Sequence, residues 1–239
     1  MNPNKHFTER RDFLRLGATG ALGMMVAASD LLWQTQPAEA QALPPKTPDQ
    51  ALQELIAGNQ RFITNQRQCR NQSLEQLQKV ACKQIPFAAI LSCADSRVAP
   101  EIIFDQGIGD IFDVRVAGNI VTRETRGSIE YAVTALGSQL VVVLGHQRCG
   151  AVIAAADNEV LPGDINSFVD AIKPCLKGGK PLLDPQCGKP ANVDVAVVQN
   201  VQCQVRQLQE STLLGKLCPQ NLRIVGAVYS LDTGKVTFI

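Results

Sequence analysis

Two short runs hold the residue types that a catalytic metal site needs. Cys93-Ala94-Asp95-Ser96-Arg97 places a soft ligand, a carboxylate and a guanidinium close together, and Gly145-His146-Gln147-Arg148-Cys149-Gly150 adds an imidazole and a second thiol. Two cysteines and one histidine form a catalytic zinc set, because three protein donors leave the fourth tetrahedral position to water or substrate. An isolated apolar-flanked cysteine is more often packing, and H-x-x-C recurs by chance. What favours a metal here is that both runs follow strongly apolar stretches, 86–91 and 140–144, where a buried strand gives way to a loop. Open α/β sheets place their ligand crevices at such strand ends. The long separation of Cys93 from Cys149 suits a site assembled by a fold rather than by a small zinc finger. Cys149 also opens a helix, whose positive dipole end favours a thiolate. Asp95 and Arg97 can be a solvated ion pair. Beside a metal, Asp95 held by Arg97 stays ionised and accepts a proton from a bound water, or it swings in as a fourth ligand. Spacing leaves both states open.

The elements that must carry these loops follow from patterning. Asp49 is expected to cap a helix bearing Leu52, Leu55, Ile56, Asn59 and Phe62, and Ser73 a second with Leu74, Leu77, Val80 and Ala81 on one side. Strands are expected over 87–91, 111–116, 140–144 and 222–229. Asp232-Thr233-Gly234 then turns the chain into a final strand over 235–239. Between them lie a short helix from Pro100, a helix capped by Thr122 and stopped by Gly137, a helix opening at Cys149–Ala151, and one over 193–209. Residues 174–191, rich in Pro and Gly, read as an irregular insertion. Strands alternating with helices predict an α/β fold: a mostly parallel central sheet with flanking helices and an antiparallel C-terminal edge strand.

With 239 residues, 45% apolar and 19% charged, the chain can bury one sizeable core. A net charge of +1 gives no reason to expect nucleic acid as a partner. Thr8-Glu9-Arg10-Arg11-Asp12-Phe13-Leu14-Arg15 resembles a twin-arginine export signal. The mildly apolar run after it contains Gly17, Gly20, Gly23 and Asp30, which makes a poor membrane span. Ala38-Glu39-Ala40 offers a cleavage site, with Ala42 as an alternative end. The expected organisation is a signal peptide over 1–40, a linker over 41–48 and one catalytic domain over 49–239, exported to the periplasm or another extracytoplasmic compartment.

Several spaced segments, in order, resemble the β-class carbonic anhydrases. They are Cys93–Val98, Val116-Ala117-Gly118-Asn119-Ile120-Val121, Gly127-Ser128-Ile129-Glu130-Tyr131-Ala132, Gly145–Gly150, and the closing Ile224–Ala227 with Asp232-Thr233-Gly234. The resemblance covers nearly the whole chain from Asp49. It implies one zinc per subunit on Cys93, His146 and Cys149, with Asp95 and Arg97 as the catalytic dyad. It also implies a substrate pocket of Gln84, Phe112, Ala117, Tyr131 and the Gly150 amide, completed at an interface in a homodimer or tetramer of dimers. Ala117 stands where many members carry valine, which widens the expected pocket. The implied reaction is reversible hydration of carbon dioxide to bicarbonate and a proton, by a zinc-bound water ionising near neutral pH. Hydrolysis of carbonyl sulfide or carbon disulfide is equivalent chemistry on the same scaffold, and a non-catalytic bicarbonate-binding relative is the other alternative. Such a relative is expected to lose a ligand or the dyad, and neither is lost. A thiol redox protein needs C-x-x-C, which the chain lacks.

Only two histidines occur, His6 and His146, so a domain freed of its leader has no histidine left to shuttle protons. Cys69, Cys82, Cys175, Cys187, Cys203 and Cys218 remain beyond the ligands. They are either buried free thiols or up to three disulfides, with Cys175–Cys187 the first pair to expect because it brackets the insertion.

Overall fold

The computed structural model describes residues 47–157, 161–176, 193–218 and 221–239, all in the unit Leu43–Ile239. The predicted signal peptide and most of the predicted linker lie outside the described residues. No described helix is long and apolar enough to cross a membrane.

The sheet has five strands in the order β2-β1-β3-β4-β5. These are β1 (Ala88–Ser92), β2 (Ile111–Arg115), β3 (Leu140–His146), β4 (Arg223–Tyr229) and β5 (Val236–Phe238). The first four are mutually parallel, and β5 runs antiparallel to β4, as the patterning predicts. The chain leaves β1 towards β2 on one side and later returns to place β3 on the other. Such a reversal opens a crevice between the carboxyl ends of the two central strands. Ser92 lies in register with Leu144, so the residue after β1 emerges beside the last residues of β3.

Eight helices among the described residues cover the sheet: α1 (Pro48–Ile63), α2 (Leu74–Val80), α3 (Pro100–Ile103), α4 (Arg123–Thr134), α5 (Gly150–Asp157), α6 (Asn166–Ile172), α7 (Val193–Gln209) and α8 (Leu214–Leu217). Strand alternation sorts the core into two layers. Ala89, Leu91, Val141, Val143 and Ile224 pack with Ile129 of α4, Val152 of α5, Ile172 of α6 and Val201 of α7. Ala88, Ile90, Leu140, Val142 and Ala227 pack with Ala51, Leu52 and Leu55 of α1. β3 is buried along its whole length, which explains its unbroken apolar run. Gly145 is required by the approach of α7: a Cβ there would stand 2.5 Å from a Val201 methyl.

Several local expectations change. Thr47, not Asp49, caps α1, in a reciprocal capping box with Gln50. Pro48 fits the first helical turn, where its missing N–H costs nothing. Asp49 instead pairs with Arg223 at 2.6 Å. Ser73 caps α2 as expected, but α2 buries nothing, and Leu74 and Leu77 are exposed. β3 runs through His146, so this ligand is a strand residue and not a loop residue. Helices α6 and α8 were not foreseen.

The expected Cys175–Cys187 pair is overturned. Cys175, just after α6, is bonded to Cys203 of α7, while Cys187 lies outside the described residues. The insertion's sequence ends were a poor guide, because α7 brings Cys203 against the α6 end in space. The bond closes a 28-residue separation, which corresponds to a loop-closure contribution of about 3–4 kcal/mol. Peptide mapping of unreduced protein is expected to recover a Cys175–Cys203 linked pair. Reduction should lower denaturant stability by an amount of that order.

Candidate metal centre

Cys93 leaves the end of β1, His146 ends β3, and Cys149 sits one position before α5. All three are buried, and their donor atoms lie within 4.8 Å of one another. The two sulfurs are 4.0 Å apart. Two thiolates at ~2.3 Å from one tetrahedral ion stand ~3.8 Å apart, so the spacing fits zinc.

The imidazole points the same way. Its Nδ1 lies 2.8 Å from the Gln147 carbonyl oxygen, which fixes Nδ1 as the protonated nitrogen. Nε2 is buried with no hydrogen-bond partner, and its lone pair is left for a metal. This pairing of a ligand imidazole with a backbone carbonyl sets both tautomer and ring orientation. The turn that follows His146 is braced by the last hairpin: Gln147 N donates to Tyr229 O at 3.0 Å, and Arg148 pairs with Asp232 at 2.8 Å.

The hydrogen bond from Cys149 is the main cause that holds Cys93 at about 4, against burial and with help from His146 and the Gly118 amide. The same contact, followed by burial, pushes Cys149 well above the ordinary thiol range, while the Ala151 and Val152 amides opening α5 oppose it. A divalent cation is the natural partner for two such sulfurs and a neutral imidazole.

Asp95 and Arg97 are together as predicted. Arg97 Nε and Nη2 grip the two carboxylate oxygens at 2.9 and 2.8 Å, and the Arg97 amide adds a third bond at 2.9 Å. The Arg97 hydrogen bonds lower Asp95 to about 2, overcoming burial. Asp95 Oδ2 stands 3.8 Å from His146 Nε2, so the ionised carboxylate faces the ligand cluster while both its oxygens stay engaged by Arg97.

The remaining predicted residues divide. Gly150 opens α5 beside Cys149, and Ala117 begins the turn Ala117–Asn119 that passes over Cys93. Phe112 of β2 packs on Tyr131 of α4 with ring centroids 6.2 Å apart. Gln84 is exposed and shares with Tyr131 an open cleft of about 690 Å³ that none of the three ligands lines. One chain therefore does not bring Gln84 to the metal ligands.

Two further contributors were missed in the sequence. Arg115 donates to the Cys93 carbonyl at 3.3 Å and the Asp95 carbonyl at 2.7 Å, holding the ligand loop from β2. The Gly118 amide donates to the Cys93 sulfur at 3.3 Å. Gly118 enters the sequence reading only as part of the 116–121 segment, and strand register was the missing signal for Arg115.

A family profile described as carbonic anhydrase matches residues 88–236. Carbonic anhydrase 2 of Mycobacterium tuberculosis is 40% identical over 199 residues, covering 81% of this chain and 93% of its own. The carbonic anhydrase of Mycolicibacterium smegmatis is 40% identical over 200 residues, covering 81% and 94%. The chain belongs to the β-class carbonic anhydrases. Among solved members of this class, the Coccomyxa β-carbonic anhydrase is 26% identical with a TM-score of 0.58, covering 78% of this chain and 80% of that one. Two tetrameric β-carbonic anhydrases from Sordaria macrospora share the fold at 21% identity and TM-score 0.62, covering 79% and 96%.

Below the centre of this anhydrase, Ser92 Oγ donates to Asp113 Oδ1 at 3.4 Å. Burial first, then the Glu101 charge, push Asp113 up to about 7, with Arg115 and Ser92 opposing. An unfolded aspartate titrates near ~3.9, so the folded state holds a proton that the unfolded state has lost between the two values. Asp113 thus contributes fully below about pH 4, and its contribution is lost as pH rises through about 7. Asp113→Asn is expected to raise the melting temperature relative to wild type at about pH 8 and to leave it nearly unchanged at about pH 4.

Proposed function

We propose that this chain catalyses the reversible hydration of carbon dioxide to bicarbonate and a proton. The observation that carries it is the convergence of two buried cysteine sulfurs and an unpartnered imidazole nitrogen beside a bound, ionised Asp95. When bound at Cys93, His146 and Cys149, zinc supplies the Lewis acidity that lets water act as a nucleophile near neutral pH.

The chain's own residues do the rest. Ionised Asp95 only accepts hydrogen bonds, so it holds the proton side of the nucleophilic water and turns the lone pair towards carbon dioxide. Arg97 keeps that carboxylate on its own donors and out of the fourth ligand position. Attack on carbon moves one C=O electron pair onto oxygen, and one proton must then reach solvent. His146 keeps its Nδ1 proton on Gln147, and the only other histidine, His6, belongs to the expected leader, so buffer, water or a carboxylate carries the proton away.

Two finer readings belong with this one. A second copy of the chain supplies the missing side of the pocket. It is supported by exposed Tyr131 and Leu77, which line one cleft with Gln84, and by β2 as an edge strand of the sheet. Export by the twin-arginine route is supported by Arg10-Arg11 and by the Cys175–Cys203 bond, which suits an oxidising compartment.

Stopped-flow hydration with zinc quantified tests the function. Wild type should hydrate carbon dioxide with about one zinc per chain and with turnover rising with buffer concentration. Asp95→Asn should keep the metal and lose about 10²-fold or more in kcat. Zinc-replete wild type without hydration activity would refute the reading.

A further inference from the structure

Two buried amides on α7 have no place in the reaction as described, yet they end on the loop that touches a metal ligand. Asn200 and Gln204 lie one helical turn apart and are almost wholly buried among apolar neighbours such as Val197, Val201 and Ile172. Burying two carboxamides costs free energy unless every polar end is paired. Here the ends form a chain. Gln204 Oε1 accepts from the Val121 amide at 2.8 Å, and Gln204 Nε2 donates to Asn200 Oδ1 at 2.9 Å. Asn200 Nδ2 then donates to the Gly118 carbonyl at 2.9 Å. The amide of that same Gly118 donates to Cys93 Sγ at 3.3 Å.

Gly118 is held at φ 72° and ψ 15°, in the left-handed region. A Cβ there would meet the Ile172 Cδ1 at 2.5 Å, so any side chain at 118 would be strained by its φ and would have to displace Ile172. The donating amide and the accepting carbonyl belong to successive peptide planes of one residue. Fixing the carbonyl therefore fixes the torsions that aim the amide at sulfur. On the other side, the loop is tied to β1 by Val116 N to Ser92 O at 3.1 Å and Ala94 N to Val116 O at 3.3 Å. The segment 116–121 is thus clamped by β1 at one end and by the α7 carboxamides at the other. Gln204 is backed in turn by the Cys175 sulfur at 3.5 Å, next to the disulfide to Cys203.

We infer that Asn200 and Gln204 are positioning residues for the metal centre: they hold Gly118 so that its amide stays on the Cys93 sulfur. An N–H donor on a ligand thiolate withdraws charge from it and fixes its direction, and such outer partners typically alter metal affinity by about 10–100-fold. This inference rests on the three-residue site of the proposed function, and its test separates the two.

Asn200→Leu and Gln204→Met each remove the hydrogen-bonding ends at similar size. Leu208→Ala, one turn further along the same helix and in the same core but making none of these hydrogen bonds, controls for lost packing. Zinc competition against a chromogenic chelator, on the full chain, should show affinity falling about 10–100-fold for the two amide variants and unchanged for Leu208→Ala. In the cobalt-substituted protein, the thiolate-to-metal charge-transfer band should shift for the amide variants alone. If Asn200→Leu does not fold, Gln204→Met with its cobalt spectrum still decides. Unchanged affinity and spectrum in a folded amide variant overturn the positioning role, as does an equal change in Leu208→Ala. Failure of wild type to bind metal at all would instead overturn the site itself.

Discussion

Parallel pairing of β1 with β3 is the constraint on which the rest depends. Ser92 opposite Leu144 forces Cys93 to emerge beside His146, and Cys149 follows within one turn of chain. Shifting that pairing by one residue would exchange the faces of every β1 side chain and carry the Cys93 sulfur away from the cluster. The register is held by burial on both faces of β1 and β3, not by the ligands. Stability and chemistry therefore meet in one strand pair, where an apolar core places three donors.

Around that pair, backbone groups set the character of each donor. The Gln147 carbonyl selects the histidine tautomer, the Gly118 amide steadies one sulfur, and the first amides of α5 face the other. Arg115, Arg97 and Asp95 form a further layer in which a guanidinium holds the ligand loop and another holds the carboxylate. Asp95 and Arg97 ride the loop after β1, Gln147 lies in the turn after β3, and Arg115 ends β2. The last hairpin takes part too, through Tyr229 and Asp232, although its residues lie far from the ligands in sequence.

Much of this was legible in the residues. Unbroken apolar runs located β1 and β3, Thr122 marked α4, and the ligand trio stood out because both loops follow strands. Other features depend on spatial neighbours that one-dimensional patterning does not carry. Leu74 and Leu77 recur at helical spacing, but periodicity reports an apolar face and not what covers it. Cys175 finds Cys203 only because the turn Lys173–Cys175 after α6 packs against α7. Arg115 looks like an ordinary strand-end charge until register sets it beside Cys93. Gln84, expected in the pocket from the resemblance, lines a separate cleft within one chain. Asn200 and Gln204 read as polar interruptions of an amphipathic helix, and only the loop they meet explains them.

X-ray absorption at the zinc edge of the metal-loaded full chain tests the β1–β3 origin of the site most directly. Two sulfur scatterers near ~2.3 Å with two lighter ones near ~2.0 Å are expected, the lighter pair being His146 and a solvent oxygen. A shell of three or four sulfurs, or one with no sulfur, would contradict a centre built from Cys93, His146 and Cys149.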